Sequence, residues 1–247
     1  LPIAYFHFCP AIAPHLMQGT EYEPYAEIYR PAADHIKRAI ETAKKYDMGV
    51  LVDLHGCPGA QGDDGHTGLS NGKAGMWDGS RATFNQQRTI EILVELVKAV
   101  GGFENVVGIE LMNEPKNSGR LAGFYDDATH AVRGCTSDPR IVSIPLYVGD
   151  SWDLNYYSEQ FGGNSRCSPS NFLVVDHHLY RCFTPGDVLK SAKDHASLAK
   201  RGGGTHSWMS GMAQRANGNV IIGEWSCALH HTSFRSGDKR AQQADWG

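Results

Sequence analysis

The chain has little of what marks a membrane protein, a metal cage or a nucleotide site. No apolar run reaches the roughly 20 residues that a bilayer-spanning helix needs. Six cysteines (Cys9, Cys57, Cys135, Cys167, Cys182 and Cys227) are scattered without a CxxC pair. That excludes a zinc-ribbon-like site and a dense disulfide framework, while the even count leaves one or two disulfides open. Neither GxGxxG nor GxxxxGK[ST] follows an apolar run, which removes both nucleotide-cradling loops. No GxSxG nucleophile elbow joins a strand to a helix, and Ser226 lacks the flanking glycines. HxE with PCxxC, the signature of a base deaminase, is missing. There is no N-x-S/T sequon, so nothing marks glycosylation. A formal net charge of -4 supplies no basic face for nucleic acid.

What is present describes one large core. At 247 residues, with 41% hydrophobic and 20% charged content, the chain suits a single α/β domain without a disordered tail. Strand-like and helix-like segments alternate from the start. Pro31 opens an amphipathic run with Ala33, Ile36, Ile40 and Ala43 at helical spacing. It leads into Gly49 to His55, an apolar run suited to a strand buried on both faces. A Gly- and Asp-rich loop, Gly56 to Gly79, is long enough to be functional. A second long helix is predicted from Thr83 to Val100, with Phe84, Ile90, Leu93, Leu96, Val97 and Val100 on its buried side. Further strands are predicted at Val106–Leu111, Ile141–Val148, Phe172–Asp176 and Val220–Gly223. Helices are predicted at Leu121–Val132, Pro185–Leu198 and Ser207–Ala216. Repeated βα units imply parallel strands, in a barrel or in an open doubly wound sheet. Polar and aromatic residues end at least four strands: Asp53 and His55, Asn113 and Glu114, Asp176 to Tyr180, and Glu224 with Trp225. That distribution favours a barrel, whose site is assembled from many strand ends.

Two glutamates carry the chemistry. Glu114 closes NVVGIELMNEP, and Pro115 predicts an extended backbone for it. Glu224 abuts the apolar run NVIIG, where a charge is costly unless paired or functional. Two carboxylates delivered by strand ends suit acid/base and nucleophilic work on a glycosidic bond. The competing assignments are a solvent-facing strand end for Glu114 and an arginine salt bridge for Glu224. His178 and Tyr180 are placed to reach Glu224, and Asn113 to hold a sugar hydroxyl. His55, His177 and His178 also suit a metal centre. His177 and His178 are neighbours, however, so in a strand they face opposite ways and cannot both bind one ion.

The segments VDLHGCPGAQ, GIELMNEP, VVDHHLYRCF and IIGEWSCAL, in this order, resemble glycoside hydrolase family 5. The likeness is to its fungal exo-β-1,3-glucanases and glucan β-glucosidase-like members, and with LPIAYF it extends over nearly the whole chain. The resemblance implies a (β/α)8 TIM barrel over residues 1–247 as one catalytic domain, and retaining hydrolysis without metal or organic cofactor. It implies Glu114 as acid/base, Glu224 as nucleophile and Asn113 on the sugar 2-hydroxyl. His55 lies near the glucose subsite, His178 and Tyr180 flank the nucleophile, Phe183 stands at the entrance, and Trp225 is included among substrate contacts. Asp64 occupies the place of an aromatic that would oppose Phe183, with Trp77 as a substitute from the long loop. On the family's pattern strand 1, the arginine before LPI, and strand 8 with its tryptophan are absent from this stretch. The partner expected is a β-glucan or β-glucoside, bound by a monomer, with no nucleic acid and no membrane span. The alternatives are a carbohydrate-binding barrel without the chemistry, or a glucosidase for β-1,6-glucan or lipid and sterol glucosides. No compartment follows from the sequence.

Overall fold

The computed structural model describes residues 1–162 and 171–234. Its centre is six parallel strands: β1 (Pro2–Ala4), β2 (Val50–Gly56), β3 (Val106–Glu110), β4 (Leu146–Gly149), β5 (Leu173–Arg181) and β6 (Val220–Leu229). They lie side by side in sequence order, each paired in parallel with the next. A doubly wound sheet reverses its order at a switch point. This sheet never reverses, so it is an arc of a TIM-barrel-like fold, a parallel half-barrel. Among the described residues β1 and β6 are not paired with each other.

Among the described residues ten α-helices accompany the strands: α1 (Tyr5–Ile12), α2 (Ala26–Tyr29), α3 (Ala32–Lys45), α4 (Ala82–Val100), α5 (Leu121–Gly134), α6 (Pro139–Val142), α7 (Leu154–Tyr157), α8 (Pro185–Val188), α9 (Ala192–Ala199) and α10 (Gly204–Arg215). None is long and apolar enough among the described residues to cross a membrane. Helix α3 follows its predicted pattern, burying Ala33, Ile36 and Ile40, with Asp34 in its first turn and Lys44 and Lys45 in its last. Those charges complement the helix dipole. In α4 the buried stripe is Ala82, Asn85, Thr89, Ile92, Leu93, Leu96, Val97 and Val100. Phe84 is only half-buried, lying beneath the guanidinium groups of Arg81 and Arg88 at 4.7 and 4.9 Å. The first half of this stripe is polar because it packs on loop backbone, where Asn85 Nδ2 donates to Gly75 O.

Several boundaries differ from expectation. The predicted strand Ile141–Val148 is a short helix and then a strand. Asp138 caps α6 by accepting from Arg140 N, and Pro139 fits the first helical position. The predicted helix Pro185–Leu198 is two helices, because Ser191 and Asp194 close a capping box that starts α9 afresh. Strands β5 and β6 run on past their predicted ends, so Asp176 to Tyr180 and Glu224 lie inside strands, with register shifts between His177 and His178 and between Leu179 and Arg181. Cys9, Cys57, Cys135, Cys182 and Cys227 are free thiols, so no disulfide forms among them. Cys167 lies outside the described residues.

Candidate active site

The C-terminal ends of the strands surround a cleft of about 830 Å³. Its walls include His55 from β2, Asn113 and Glu114 after β3, Trp152 after β4, His177 to Arg181 from β5, and Glu224 from β6. Strand alternation aims the side chains: β5 pairs His178 with Glu224 and Leu179 with Trp225, so Glu224 and Trp225 face opposite ways. Trp225 is 64% exposed and does not line the cleft, contrary to its expected role as a substrate contact.

Glu114 does not have the extended backbone predicted for it. Its φ is +38°, in the left-handed region, where a non-glycine residue before proline carries strain of roughly 1–3 kcal/mol. Ser151 and Trp152 share that region at φ +49° and +64°. The two strained turns are tied together, since Ser151 Oγ donates to Pro115 O at 2.8 Å. Asp150 completes the support: Oδ1 accepts from Trp152 N at 3.0 Å and Oδ2 meets His177 Nδ1 at 2.6 Å. His177 and His178 thus serve different carboxylates, as their opposed directions predict.

His178 Nδ1 lies 2.7 Å from Glu114 Oε1 and 3.8 Å from Glu224 Oε1. The expected link from His178 to Glu224 is the longer of the two. Tyr180 Oη donates to Glu224 Oε1 at 2.5 Å. Among the described residues no arginine salt bridge holds Glu224; its ion-pair partner is His178. Burial opposes the charge on Glu114, but the His178 hydrogen bond and the nearby imidazoles of His178, His66 and His55 outweigh it and lower its pKa. Burial likewise opposes the charge on His178, and the surrounding carboxylates outweigh it, raising its pKa. His55 Nδ1 sits 2.7 Å from Asp53 Oδ2, a bond that raises its pKa.

Gln61 fixes the loop that follows β2. Its Nε2 donates to His55 O at 2.8 Å and to Asn113 O at 2.9 Å, and its Oε1 accepts from Cys57 N. Trp77 Nε1 donates to Gln61 O at 2.7 Å, and the indole is 2% exposed in the core. Trp77 is therefore a core residue and supplies no substrate clamp. The exposed aromatics on the cleft are Phe183, at 75%, and Trp152, at 59%; Asp64 lines it too. The pentapeptide Gly68 to Gly72 matches GxSxG by letter, but it lies in the long loop after a single turn of 3-10 helix, not between a strand and a helix.

Beneath the cleft, Asp53, Glu110 and Asp176 are buried around a smaller cavity of about 370 Å³. Burial raises the pKa of Asp176 to about 6 and that of Glu110 as well. Gly223 is required beside Asp176: its N–H donates to Oδ1 at 2.6 Å, and a Cβ would lie 2.0 Å from Oδ2. Two sets of side chains converge closely enough to share an ion, Glu110 with Asp176 and His178, and Glu114 with His178 and Glu224. Both depend on His178, whose Nδ1 is engaged by Glu114. Asn113 borders the cleft but is itself buried, with Oδ1 unpartnered among the described residues. Sequence reasoning missed Gln61, His66, Asp150, Ser151, Trp152 and Trp208, the last a cleft residue edge-on to His177 at 5.3 Å; the length of the Gly56–Gly79 loop was the only signal toward the first two.

A profile of the family described as Cellulase (glycosyl hydrolase family 5) matches residues 12–246. The chain is 34% identical over 221 residues to Glucan 1,3-beta-glucosidase 3 of Schizosaccharomyces pombe, covering 89% of this chain and 43% of that protein. It is 27% identical over 254 residues to Glucan 1,3-beta-glucosidase 2 of Wickerhamomyces anomalus, covering 99% of this chain and 52% of that protein. The chain thus spans about half the length of these curated relatives. Among solved structures, a rutinosidase from Aspergillus niger superposes with a TM-score of 0.55 at 16% identity, over 91% of this chain and 59% of that one. At that identity the likeness is one of fold alone.

Proposed function

The chain belongs to glycosyl hydrolase family 5, and on that footing we propose that its protein is a retaining β-glucoside hydrolase that releases glucose from β-1,3-glucan ends. The observation that carries this is the convergence of Glu114 and Glu224 at one cleft, with a carboxylate oxygen of each within 4.8 Å of the other. Retaining enzymes hold their carboxyl groups roughly 5–5.5 Å apart, whereas inverting ones leave roughly 6.5–9.5 Å for a water. The glucan specificity rests on the relatives' names, the fungal glucan 1,3-beta-glucosidases. The six strands are assigned as strands 2 to 7 of a (β/α)8 barrel that forms a single catalytic domain.

Tyr180 and His178 both approach Oε1 of Glu224, leaving Oε2 as the attacking atom. It bonds to the anomeric carbon as the glycosidic bond breaks, and the bonding electrons go to the leaving oxygen. Glu114, which its imidazole neighbours keep ionised in the free site, takes up a proton as the bound sugar displaces water from the cleft and passes it to that oxygen. In the second half, Glu114 takes a proton from water while the water oxygen displaces Glu224 from the anomeric carbon, giving glucose of retained configuration. Asn113 holds the sugar 2-hydroxyl, His55 borders the same subsite, and Phe183 stacks on the next unit.

The test is proton NMR of laminaritriose during its first minutes with the intact protein. β-Glucose should appear first and mutarotate later. Initial α-glucose would overturn retention, and no glucose from this substrate would overturn the glucan assignment.

A further inference from the structure

The loop between β2 and α4 carries an imidazole to Glu114 that the roles above leave unused. His66 Nε2 lies 3.4 Å from Glu114 Oε2, on the oxygen that His178 does not hold. We propose that His66 is a positioning residue that pins this loop to Glu114 and fixes the plane of its carboxylate. This rests on the acid/base role proposed for Glu114.

The two oxygens of Glu114 are gripped from different elements. His178 holds Oε1 from within β5, a short contact at the cleft wall. His66 meets Oε2 from a single 3-10 turn, Gly65–Thr67, in the loop. Oε2, which His178 does not hold, is the oxygen that carries the transferable proton. The longer contact suits that duty, since it supports the carboxylate after the proton has gone and yields when Oε2 is protonated. The Glu114 backbone, at φ +38°, is strained, and the contacts to its carboxylate help hold it there.

The turn that bears His66 is itself anchored. Thr67 is buried and its hydroxyl donates to Asp64 O at 2.8 Å. Gln61 ties the loop to His55 O and Asn113 O, and Lys116 N donates to Gln61 O at 2.8 Å. The His66 ring lies edge-on to His55, with centroids 5.9 Å apart. Gly62 keeps the space open, since a Cβ there would lie 3.2 Å from Glu114 O and 4.0 Å from His66 Nε2.

Several titratable groups share this space. Glu114 faces His66 from the end of β3, and His55 from β2 with Asp53 behind it. His178 and Tyr180 border the cleft from β5, with Arg181 beside them, and Glu224 borders it from β6. On the loop itself stands Asp64, while Asp63 is engaged by Lys116 Nζ at 3.1 Å. Every state of His66 that can donate to Glu114 favours the carboxylate, so its removal has one sign.

The experiment is a carbon-13 NMR titration of the Glu114 carboxyl, identified by its loss in Glu114→Gln, in the intact protein and in His66→Ala and His66→Gln. His66→Ala should move the midpoint up by roughly 0.2–0.7 of a pH unit, the size expected of a partly exposed ion pair. His66→Gln, whose amide can still donate, should restore part of the shift. The alkaline limb of kcat/KM on laminaribiose should move the same way. An unchanged midpoint in a His66→Ala protein of wild-type melting temperature overturns the inference. If the wild type cleaves no glucoside, the functional proposal falls while the titration still decides the role of His66.

Discussion

His178 Nδ1 meets Glu114 Oε1 at 2.7 Å, joining residues 64 positions apart, one on β5 and one just after β3, with β4 between the two strands. It also stands 3.8 Å from Glu224, so one imidazole is shared between two carboxylates with opposite proposed tasks. It stands closer to Glu114, whose pKa its hydrogen bond lowers.

The pair has a pH signature in stability. Glu114, depressed below its ordinary 4.5, contributes stability present above that value and lost as pH falls through its folded pKa. His178, raised above 6.5, contributes stability fully present below that value and lost as pH rises through its folded pKa. Both contributions therefore coexist between 4.5 and 6.5. His178→Gln should cost about 1–3 kcal/mol in this window, as for a hydrogen bond to a charged group, and less at pH 8. Denaturant melts at pH 5.5 and pH 8 check it; equal losses at both would refute the charged pair.

The proposed roles of the glutamates separate by leaving group. Glu114→Gln should slow hydrolysis of laminari-oligosaccharides by roughly 10²–10⁴, the usual worth of a general acid, and slow dinitrophenyl glucoside bond cleavage far less. Glu224→Gln should reduce both, by as much as roughly 10⁴–10⁶, as loss of a nucleophile does. Burst and steady-state kinetics on the two substrates distinguish these patterns.

Tyr180 donates to Glu224 at 2.5 Å, and burial first, then the carboxylates of Glu224 and Glu114, push its phenol pKa upward, so it stays a donor. Tyr180→Phe removes one charge-assisted hydrogen bond at a partly exposed position. A loss of roughly 10- to 100-fold in kcat is expected, with the melting temperature within a degree or two of wild type. A change in stability without one in kcat would make Tyr180 a scaffold residue only.

Aromatic side chains divide between core and cleft. Trp77→Ala should cost about 3–5 kcal/mol in denaturant unfolding, because a buried indole and its bond to Gln61 O are both lost. Phe183→Ala and Trp152→Ala should leave stability nearly unchanged and raise KM for oligosaccharides several-fold more than for an aryl glucoside. Equal effects on both substrates would remove these two residues from binding beyond the first sugar.

Much of this site was legible before any coordinates. The apolar runs ending at Glu114 and Glu224 marked both carboxylates, and the DHHLY segment marked His178 and Tyr180, because period-two alternation tells which neighbours share a face. Alternation also argued that His177 and His178 serve different partners. The same rule, applied to β6, turns Trp225 away from Glu224, although its place at a strand end had set it among the expected substrate contacts. Trp77 was misplaced for a different reason: composition cannot tell a loop tryptophan at the surface from one folded back into the core.

The sequence by itself determined the βα repeat, the order in which polar strand ends appear, and the residue types available for chemistry. Those depend on contacts within a few residues, where hydrophobic period and capping act. Only the tertiary structure decided that Glu114 turns through a left-handed backbone, that Ser151 ties its turn to the next, and that Gln61 and His66 bring a loop onto it. Each of those contacts joins segments 36 to 52 positions apart in sequence. A local pattern states which face a side chain takes; assembling the sheet states which distant carboxylate it meets there.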